Sequence, residues 1–226
     1  MGFKTPNVDY RENPERISAM KDPAFTTRTT PNECSKGLVF VSNEDGTCSV
    51  SGIGTCIDTD IKIPSVHNGE KVTSIGDRAF FDCDSLTSIT IPEGVMFIDA
   101  FAFYGCSSLI SIVLPNGITE IARYAFSECS SLIDIYLPNN LKKIGDGAFY
   151  NCRSLTSITI PDSVNGIGHF AFAKCDGLTN ITIPSRVMTI GECAFSGCSG
   201  LTNIAIPKNA IIGFQAFHGI PEIVEK

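Results

Sequence analysis

The sequence contains no tryptophan, only three histidines and no long uninterrupted apolar run. Its longest apolar stretch, residues 95–104, is interrupted by Asp99, whereas a membrane-spanning helix needs about 20 consecutive apolar residues. The first ten residues also lack the basic start and apolar stretch that form a secretory signal peptide. We therefore expect no membrane insertion, and this chain shows no signal peptide.

Positive charge is scarce as well. The chain has 17 Lys and Arg against 24 Asp and Glu, which gives a formal net charge of −7 at pH 7. Proteins that bind nucleic acid neutralise phosphates with lysine and arginine, so an acidic chain is disfavoured for that role. We therefore do not expect nucleic acid as a partner.

Histidine and cysteine do not occur in patterns that support catalysis or metal binding. His67, His169 and His218 have no cysteine, serine or carboxylate partner at a recognisable spacing, which argues against a hydrolase triad. The glycines at 52 and 54 lack the rest of a phosphate-binding loop, and no C-x-x-C pair supports a zinc site. We therefore predict that the protein is not an enzyme and has no metal site and no cofactor.

Phenylalanine, by contrast, occurs 15 times, and most copies belong to a 23-residue repeat. Each unit follows the pattern L-x-x-I-x-I-P-x-x-V-x-x-I-G-x-x-A-F-x-x-C-x-x. The leucines that open six successive units are Leu86, Leu109, Leu132, Leu155, Leu178 and Leu201. The phenylalanines of the Ala-Phe pair are Phe80, Phe103, Phe126, Phe149, Phe172 and Phe195. The cysteines, called here the ladder cysteines, are Cys83, Cys106, Cys129, Cys152, Cys175 and Cys198. A fixed period of this length indicates a solenoid.

The pattern within one unit predicts the shape of one coil. Leu86, Ile89 and Ile91 fit an extended segment of about six residues, which ends at a proline where no ladder N–H is needed. Val95 and Ile98 mark a second, shorter extended piece. Each coil therefore contains a main strand followed by a short strand.

A helical turn is expected to complete each coil. The spacing of Ala79, Phe80 and Cys83 places all three side chains on one side of a single helical turn. One coil cannot bury its apolar face alone, but stacked coils can, with parallel strands about 4.8 Å apart. The sequence therefore predicts a right-handed solenoid of about seven coils with a parallel β-sheet, short second strands and helical turns.

The unit resembles the BspA-like class of bacterial leucine-rich repeats, in which L-T-S-I-T-I-P and I-G-x-x-A-F-x-x-C occur in nearly the same form. The resemblance covers roughly residues 37–223. It implies a cell-surface or secreted protein that adheres to a host extracellular protein or to a bacterial surface protein. It implies no catalytic residues.

Four segments are expected along the chain. Residues 1–36 carry four prolines and few clustered apolar residues, which is typical of a tail or linker. Residues 37–71 contain two β-rich runs joined at 43–46, a hairpin signal, and read as an N-terminal β cap with a first irregular coil. Regular repeats occupy residues 72–207. Residues 208–226 form an incomplete last coil or a C-terminal cap.

The ladder cysteines repeat at one interior position, so we interpret them as buried, reduced thiols. Disulfides between neighbouring coils are disfavoured, because parallel Cβ directions make the required dihedral angle difficult. Cys48 and Cys56 flank a predicted cap strand and could form a disulfide in a secreted protein, with Cys34 as a competing partner. The sequence leaves that pairing open.

One group of outward strand positions stands out as a candidate partner-binding site. Most of these positions carry Thr or Ser, as β propensity favours. Two neighbouring strands instead carry a mainly apolar group: Ile110, Val113, Ile133, Asp134 and Tyr136. Apolar residues around an amphipathic aromatic are typical of an interaction hot spot. Cross-strand packing or neutral drift is the alternative explanation.

Further aromatic residues flank the Ala-Phe pair: Phe81, Tyr104 and Tyr150 after it, and Phe101, Tyr124 and Phe170 before it. We expect them to pack between coils rather than to face solvent, because stacked rings gain from burial and from ring contacts. Two functions compete for the chain as a whole. One is a protein-binding or adhesion module, and the other is a scaffold or targeting domain of a larger bacterial protein. The oligomeric state is not determined by the sequence.

Overall fold

The computed structural model describes residues 34–225, and the predicted tail therefore lies almost entirely outside the described residues. The described part contains eighteen β-strands and no α-helix. The strands, in chain order, are β1 (Val39–Ser42), β2 (Thr47–Gly52), β3 (Asp60–Lys62), β4 (Val66–His67), β5 (Glu70–Ile75), β6 (Ser88–Thr90), β7 (Phe97–Ile98), β8 (Ser111–Val113), β9 (Glu120–Ile121), β10 (Asp134–Tyr136), β11 (Lys143–Ile144), β12 (Ser157–Thr159), β13 (Gly166–Ile167), β14 (Asn180–Thr182), β15 (Thr189–Ile190), β16 (Asn203–Ile206), β17 (Ile211–Ile212) and β18 (Glu222–Glu225).

The main strands pair in parallel with the equivalent strand of the next coil. They form three groups: β3 with β6, β8 with β10, and the series β12, β14, β16 and β18. Equivalent residues lie side by side, as Ile112 and Ile135 do. The short strands β9, β11, β13, β15 and β17 form a second parallel sheet, and β7 pairs with β5. The predicted solenoid is therefore confirmed, with about eight turns instead of about seven.

Columns of identical side chains fill the interior of the solenoid. The rings of Phe126, Phe149 and Phe172 are fully buried and stack with centroid distances of 5.7 and 5.2 Å, within 16° of parallel. The column ends at Phe217, which stacks on Phe195 at 5.6 Å. Burial and ring contact both favour this arrangement. Each central ring is thus shared between the coil before it and the coil after it.

The predicted helical turn is wrong, because two residues in each coil adopt the left-handed conformation. Arg78 and Asp82 have φ values of +55° and +52°, which interrupt a right-handed helix. The N–H of Phe80 donates to the carbonyl of Ala102 in the next coil at 2.8 Å, and the N–H of Cys83 donates to Phe80 at 3.3 Å. Hydrogen bonds to the next coil therefore alternate with i→i−3 bonds within the coil, and together they replace the i→i−4 bonds of an α-helix.

The same two positions are left-handed in successive coils. The position before the Ala-Phe pair is left-handed at Arg78, Phe101, Tyr124, Gly147, Phe170, Cys193 and Gln215. The second position after the pair is left-handed at Asp82, Gly105, Glu128, Asn151, Lys174, Gly197 and Gly219. Bulky residues rarely adopt this conformation, so the stack of coils, rather than local preference, holds the turn.

The ladder cysteines are buried, as expected, and all ten cysteines are free thiols. Five of them donate their S–H to a phenylalanine carbonyl of the preceding coil: Cys106, Cys129, Cys152, Cys175 and Cys198. Burial raises the pKa of Cys83 and Cys198 to about 12 and raises the pKa of Cys152 well above its ordinary value. The thiols are therefore protonated donors inside the solenoid.

The predicted hairpin cap is confirmed at the start of the described residues. β1 and β2 pair antiparallel around a turn at 43–46, in which the N–H of Asn43 donates to the Thr47 carbonyl at 2.7 Å. β2 then pairs in parallel with β5, which pairs with the short strand β7, so the hairpin covers one edge of β5. Cys48 and Cys56 are buried and Cys34 is exposed, each as a free thiol.

Candidate partner-binding surface

The candidate site lies on the outer face of the main strands β8 and β10. Side chains alternate across a strand, and Ile112 and Ile135 at the strand centres point into the core with exposed fractions of 2% and 4%. Their sequence neighbours on both sides therefore face outward. Val113 and Tyr136 are each half-buried on this face.

The structure brings together all five residues that the sequence singled out. The parallel register places Val113 beside Tyr136, and Asp134 beside Ser111. Ile110 and Ile133 directly precede the two strands, where the N–H of Ile133 donates to the Ile110 carbonyl at 2.9 Å. We call Ile110, Val113, Ile133, Asp134 and Tyr136 the strand-face patch.

The patch is apolar and open, while the coils on either side are polar. Ile110 and Ile133 each leave 48% of their surface exposed. Beyond the patch, the equivalent positions carry Thr90 on one side and Thr159 on the other, and both hydroxyl side chains are exposed. Cross-strand packing accounts for part of the burial of Val113 and Tyr136. It does not cover the two isoleucines, which remain available to a partner.

The two strands of the patch pair with each other, as β3 and β6 also do. β8 and β10 form a two-stranded sheet of their own, whereas β12, β14, β16 and β18 continue as one sheet. The patch therefore coincides with a separate pair of strands in the main series.

Another set of exposed apolar residues lies at the short strands. Met96, Phe97 and Met188 leave 46%, 58% and 61% of their surface exposed. Met96 and Met188 are four coils apart in the repeat, so these residues do not form one contiguous patch. They serve as a comparison site for the strand face.

The aromatic residues around the turns stack between coils, as the sequence predicted. Phe81 stacks on Tyr104 at 4.9 Å, and Phe101 stacks on Tyr124 at 5.2 Å. They are not fully enclosed, however, because Phe81 is 39% exposed and Tyr104 is half-buried. The rings therefore form an outer surface as well as a packed layer.

The structure adds a feature that the sequence analysis did not identify. A cleft of about 300 Å³ opens in this outer aromatic layer, and its lining residues are Tyr104, Tyr124, Ser127, Tyr150 and Phe170. The sequence indicates this cleft at Ser127. The equivalent position is Tyr104 in the preceding coil and Tyr150 in the following coil. A comparison of equivalent positions along the columns would have found the gap.

Two features are absent from the described residues, a metal-binding cluster and a membrane-spanning helix. Within residues 34–225, no group of three or more His, Cys, Asp or Glu side chains is arranged to hold a metal ion. The same part of the chain contains no helix that is long and apolar enough to cross a membrane.

The stacked parallel strands and the 23-residue coils define a leucine-rich-repeat solenoid. The family described as "BspA type Leucine rich repeat region" matches residues 55–177 and 142–225 in six copies. The match covers most of the chain, and the protein belongs to this family. Families of this kind are repeat scaffolds rather than known enzyme families, and leucine-rich-repeat domains generally mediate protein interactions.

Solved structures of similar proteins support the assignment. A leucine-rich repeat protein from Bacteroides ovatus is 34% identical, with a TM-score of 0.76 over 87% of this chain and 53% of that one. A leucine-rich repeat protein from T. pallidum is 30% identical, with a TM-score of 0.77 over 86% of this chain and 90% of that one.

A third relative carries a description of its location. A leucine-rich cell surface protein from Faecalibacterium prausnitzii is 32% identical, with a TM-score of 0.77 over 88% of this chain and 55% of that one. The chain therefore spans about half the length of the Bacteroides ovatus and Faecalibacterium prausnitzii proteins. No curated protein sequence matches it.

Proposed function

We propose that this protein is a non-catalytic protein-binding or adhesion module whose strand-face patch contacts a protein partner. The observation that carries the proposal is the pair Ile110 and Ile133, each 48% exposed beside Tyr136 on an otherwise Thr- and Ser-rich face. Burial of exposed apolar side chains drives association, and tyrosine contributes both apolar area and a polar end. Asp134 adds one charge that can orient a partner.

The proposed location is the cell surface or the extracellular space. The similar protein from Faecalibacterium prausnitzii is described as a cell surface protein, and resemblance to the BspA-like class points the same way. The partner would then be a host extracellular protein or a bacterial surface protein. A rigid solenoid suits this role, because its face needs little ordering when a partner binds.

The experiment compares variants of the patch against a captured partner. The purified domain is used to isolate partners from host extracellular extracts and from bacterial surface extracts, and surface plasmon resonance then measures affinity. Tyr136→Ala should weaken binding by about 2 kcal/mol, or roughly 30-fold, which is the scale of a hot-spot truncation.

The matched control is Thr159→Ala on strand β12, which removes an exposed hydroxyl outside the patch. It should change affinity by less than about twofold, because an exposed rim group contributes little. Circular dichroism checks that both variants keep the fold. If Tyr136→Ala binds like the parent while Met96→Ala or Phe97→Ala does not, recognition lies at the short strands and the proposed surface is wrong.

A second candidate function is a scaffold or targeting domain of a larger bacterial protein. It is favoured by the relatives from Bacteroides ovatus and Faecalibacterium prausnitzii, of which this chain spans 53% and 55%. Fractionation of cells that produce the whole gene product separates the two functions. Surface exposure supports adhesion, and retention in the cytoplasm supports the scaffold.

A further inference from the structure

The outer aromatic layer contains a gap one coil wide. The first residue after each Ala-Phe pair forms a column, whose members in chain order are Phe81, Tyr104, Ser127, Tyr150, Ala173, Ser196 and His218. Phe81 and Tyr104 show the normal packing of rings in neighbouring coils, with centroids 4.9 Å apart and planes within 8°. Ser127 follows Tyr104 and precedes Tyr150, so one ring is missing between two tyrosines.

The missing ring leaves the cleft of about 300 Å³ described above. Its remaining walls are also aromatic. A Cβ at Gly147 would lie 2.2 Å from Cε1 of Tyr124, which shows that the Tyr124 ring lies against this glycine. Tyr124 thereby forms a side wall instead of filling the space over Ser127, and Phe170 contributes to the lining of the cleft.

Ser127 lines this cleft with an unsatisfied polar group. The residue is fully buried, and its Oγ has no hydrogen-bond partner among the described residues. Buried hydroxyls are normally hydrogen-bonded, because an unmade bond carries the full cost of desolvation. An N–H donor that entered the cleft could supply the missing partner after a small shift of the side chains that cover the Ser127 Oγ.

The spacing of the walls fits a planar group. Rings in adjacent coils are about 5 Å apart, so Tyr104 and Tyr150 are separated by roughly 10 Å, and a planar group between them would lie about 5 Å from each. Elsewhere in the molecule, guanidinium groups lie at a similar distance from a single ring. Cζ of Arg78 and Cζ of Arg123 lie 4.8 and 5.4 Å from the centre of the Phe101 ring.

Carboxylates near Tyr104 favour a cation on that side of the cleft. The carboxylates of Glu128 and Asp82 act on the Tyr104 hydroxyl and, together with burial as the largest cause, raise its pKa. Lys174 places its Nζ 5.1 Å from the centre of the Tyr150 ring. Lys174 belongs to the coil after Tyr150, whereas Ser127 belongs to the coil before it. The net charge of −7 adds a general attraction for basic partners.

We propose that this cleft binds an arginine side chain of a partner protein, with the guanidinium stacked between Tyr104 and Tyr150 and one N–H donated to Ser127 Oγ. Arginine fits better than lysine because its guanidinium is planar, weakly hydrated and able to stack on rings while it donates hydrogen bonds. The inference concerns the turn side of the solenoid and does not depend on the strand-face patch.

The test uses a capped Gly-Arg-Gly peptide as the probe and the full chain as the receptor. Amide chemical shifts in NMR spectra and tyrosine fluorescence follow the titration, and the absence of tryptophan leaves tyrosine emission unmasked. We expect saturable shifts centred on Ser127 and Tyr150. The same peptide with citrulline, which is nearly isosteric but uncharged, should bind at least about 10-fold more weakly, and the lysine peptide should also bind more weakly.

Substitutions of Ser127 test the position of the probe. Ser127→Phe supplies the missing ring and should reduce peptide binding at least about 10-fold while the melting temperature stays the same or rises. Ser127→Ala removes only the Oγ acceptor and should weaken binding about 5-fold. The matched control, Ser196→Phe, adds the same ring to the same column between Ala173 and His218 and should leave binding unchanged.

Several results would overturn the proposal. Undiminished binding by both Ser127→Phe and Ser127→Ala would place the peptide elsewhere, and equal binding of the citrulline peptide would show that charge is not recognised. A cello-oligosaccharide that shifts the Ser127 and Tyr150 signals while the arginine peptide does not would identify a carbohydrate site instead. Tyr136→Ala should leave peptide binding unchanged, so the failure of the strand-face proposal is distinguishable from the failure of this one.

Discussion

Replacement of Cys152 by alanine should destabilise the protein at neutral pH but stabilise it in alkali. At neutral pH the buried thiol donates its S–H to the Phe126 carbonyl at 3.1 Å, and alanine loses both this bond and the packing of the sulfur atom. The Phe126 carbonyl keeps a second donor, the N–H of Cys129 at 3.4 Å. We expect a loss of about 1 to 2 kcal/mol in the free energy of unfolding.

The effect of Cys152→Ala on the free energy of unfolding changes sign in alkali, because the folded state holds the thiol proton more tightly than the unfolded state. Burial is the largest cause that raises the pKa of Cys152 well above its ordinary value of 9.0, and the neighbouring Cys175 adds to it. The stabilisation from this proton is fully present below pH 9.0, the ordinary value, and is lost as the pH rises towards the pKa of the folded state. Above pH 9.0 the parent should lose about 1.4 kcal/mol through this thiol for each pH unit, until the pH approaches the pKa of the folded state.

Guanidinium unfolding of the parent and of Cys152→Ala, both in reducing buffer, measures the effect. The difference between their unfolding free energies cancels the titrating groups that the substitution does not affect, and it should reverse sign between about pH 9.5 and about pH 10.5. Cys34→Ala removes an exposed thiol and is the matched control. If the Cys152→Ala difference stays constant with pH, the thiol is not held protonated by the fold and this reasoning is refuted.

Two further predictions concern the core. Phe149→Ala should lower the free energy of unfolding by about 3 to 5 kcal/mol, because the ring stacks on both Phe126 and Phe172. Phe217→Ala in the last coil should lower it less, because that ring stacks on Phe195 at the end of the column. Equal losses of thermal stability would contradict the shared-ring packing. Alkylation followed by mass spectrometry measures the reactivity of each thiol. In the folded protein the ladder cysteines should react slowly and the exposed Cys34 rapidly. After denaturation in the absence of reductant, all ten cysteines should be labelled. Disulfides between neighbouring coils in the same spectra would contradict the interpretation of the ladder as reduced thiols.

The solenoid could be predicted because every core position is repeated. The positions of Leu109, Ile112 and Leu114 recur with the same spacing in each unit, so every copy supports the assignment of these positions to the core. Strand alternation predicted the outward positions of Val113, Asp134 and Tyr136. Ile110 and Ile133 precede the strands, so their exposure was predicted from the repeat, in which they follow the inward leucine. Whether the patch binds a partner is not decided by alternation, and the binding residues remain a proposal.

The turn could not be predicted from one unit. The spacing of Ala79, Phe80 and Cys83 fits a helical face, but the deciding interactions come from the next coil, where the Ala102 carbonyl accepts from Phe80. Long-range hydrogen bonds overrode the local pattern. The thiol donors were missed for a related reason, because a hydropathy pattern treats cysteine as a small apolar residue and gives no information about carbonyls of the preceding coil.

The left-handed residues of the turn have a consequence for how the protein unfolds. Each bulky residue in this conformation costs about 1 to 3 kcal/mol and persists only where its surroundings hold it. A single coil taken out of the stack would carry one or two such residues without the carbonyl and amide partners of its neighbours. An isolated coil is therefore unstable by itself, while the contact between coils is strongly favourable. In a linear array this combination makes partly melted states rare, so the solenoid should unfold in one cooperative step rather than by the gradual loss of coils from its ends.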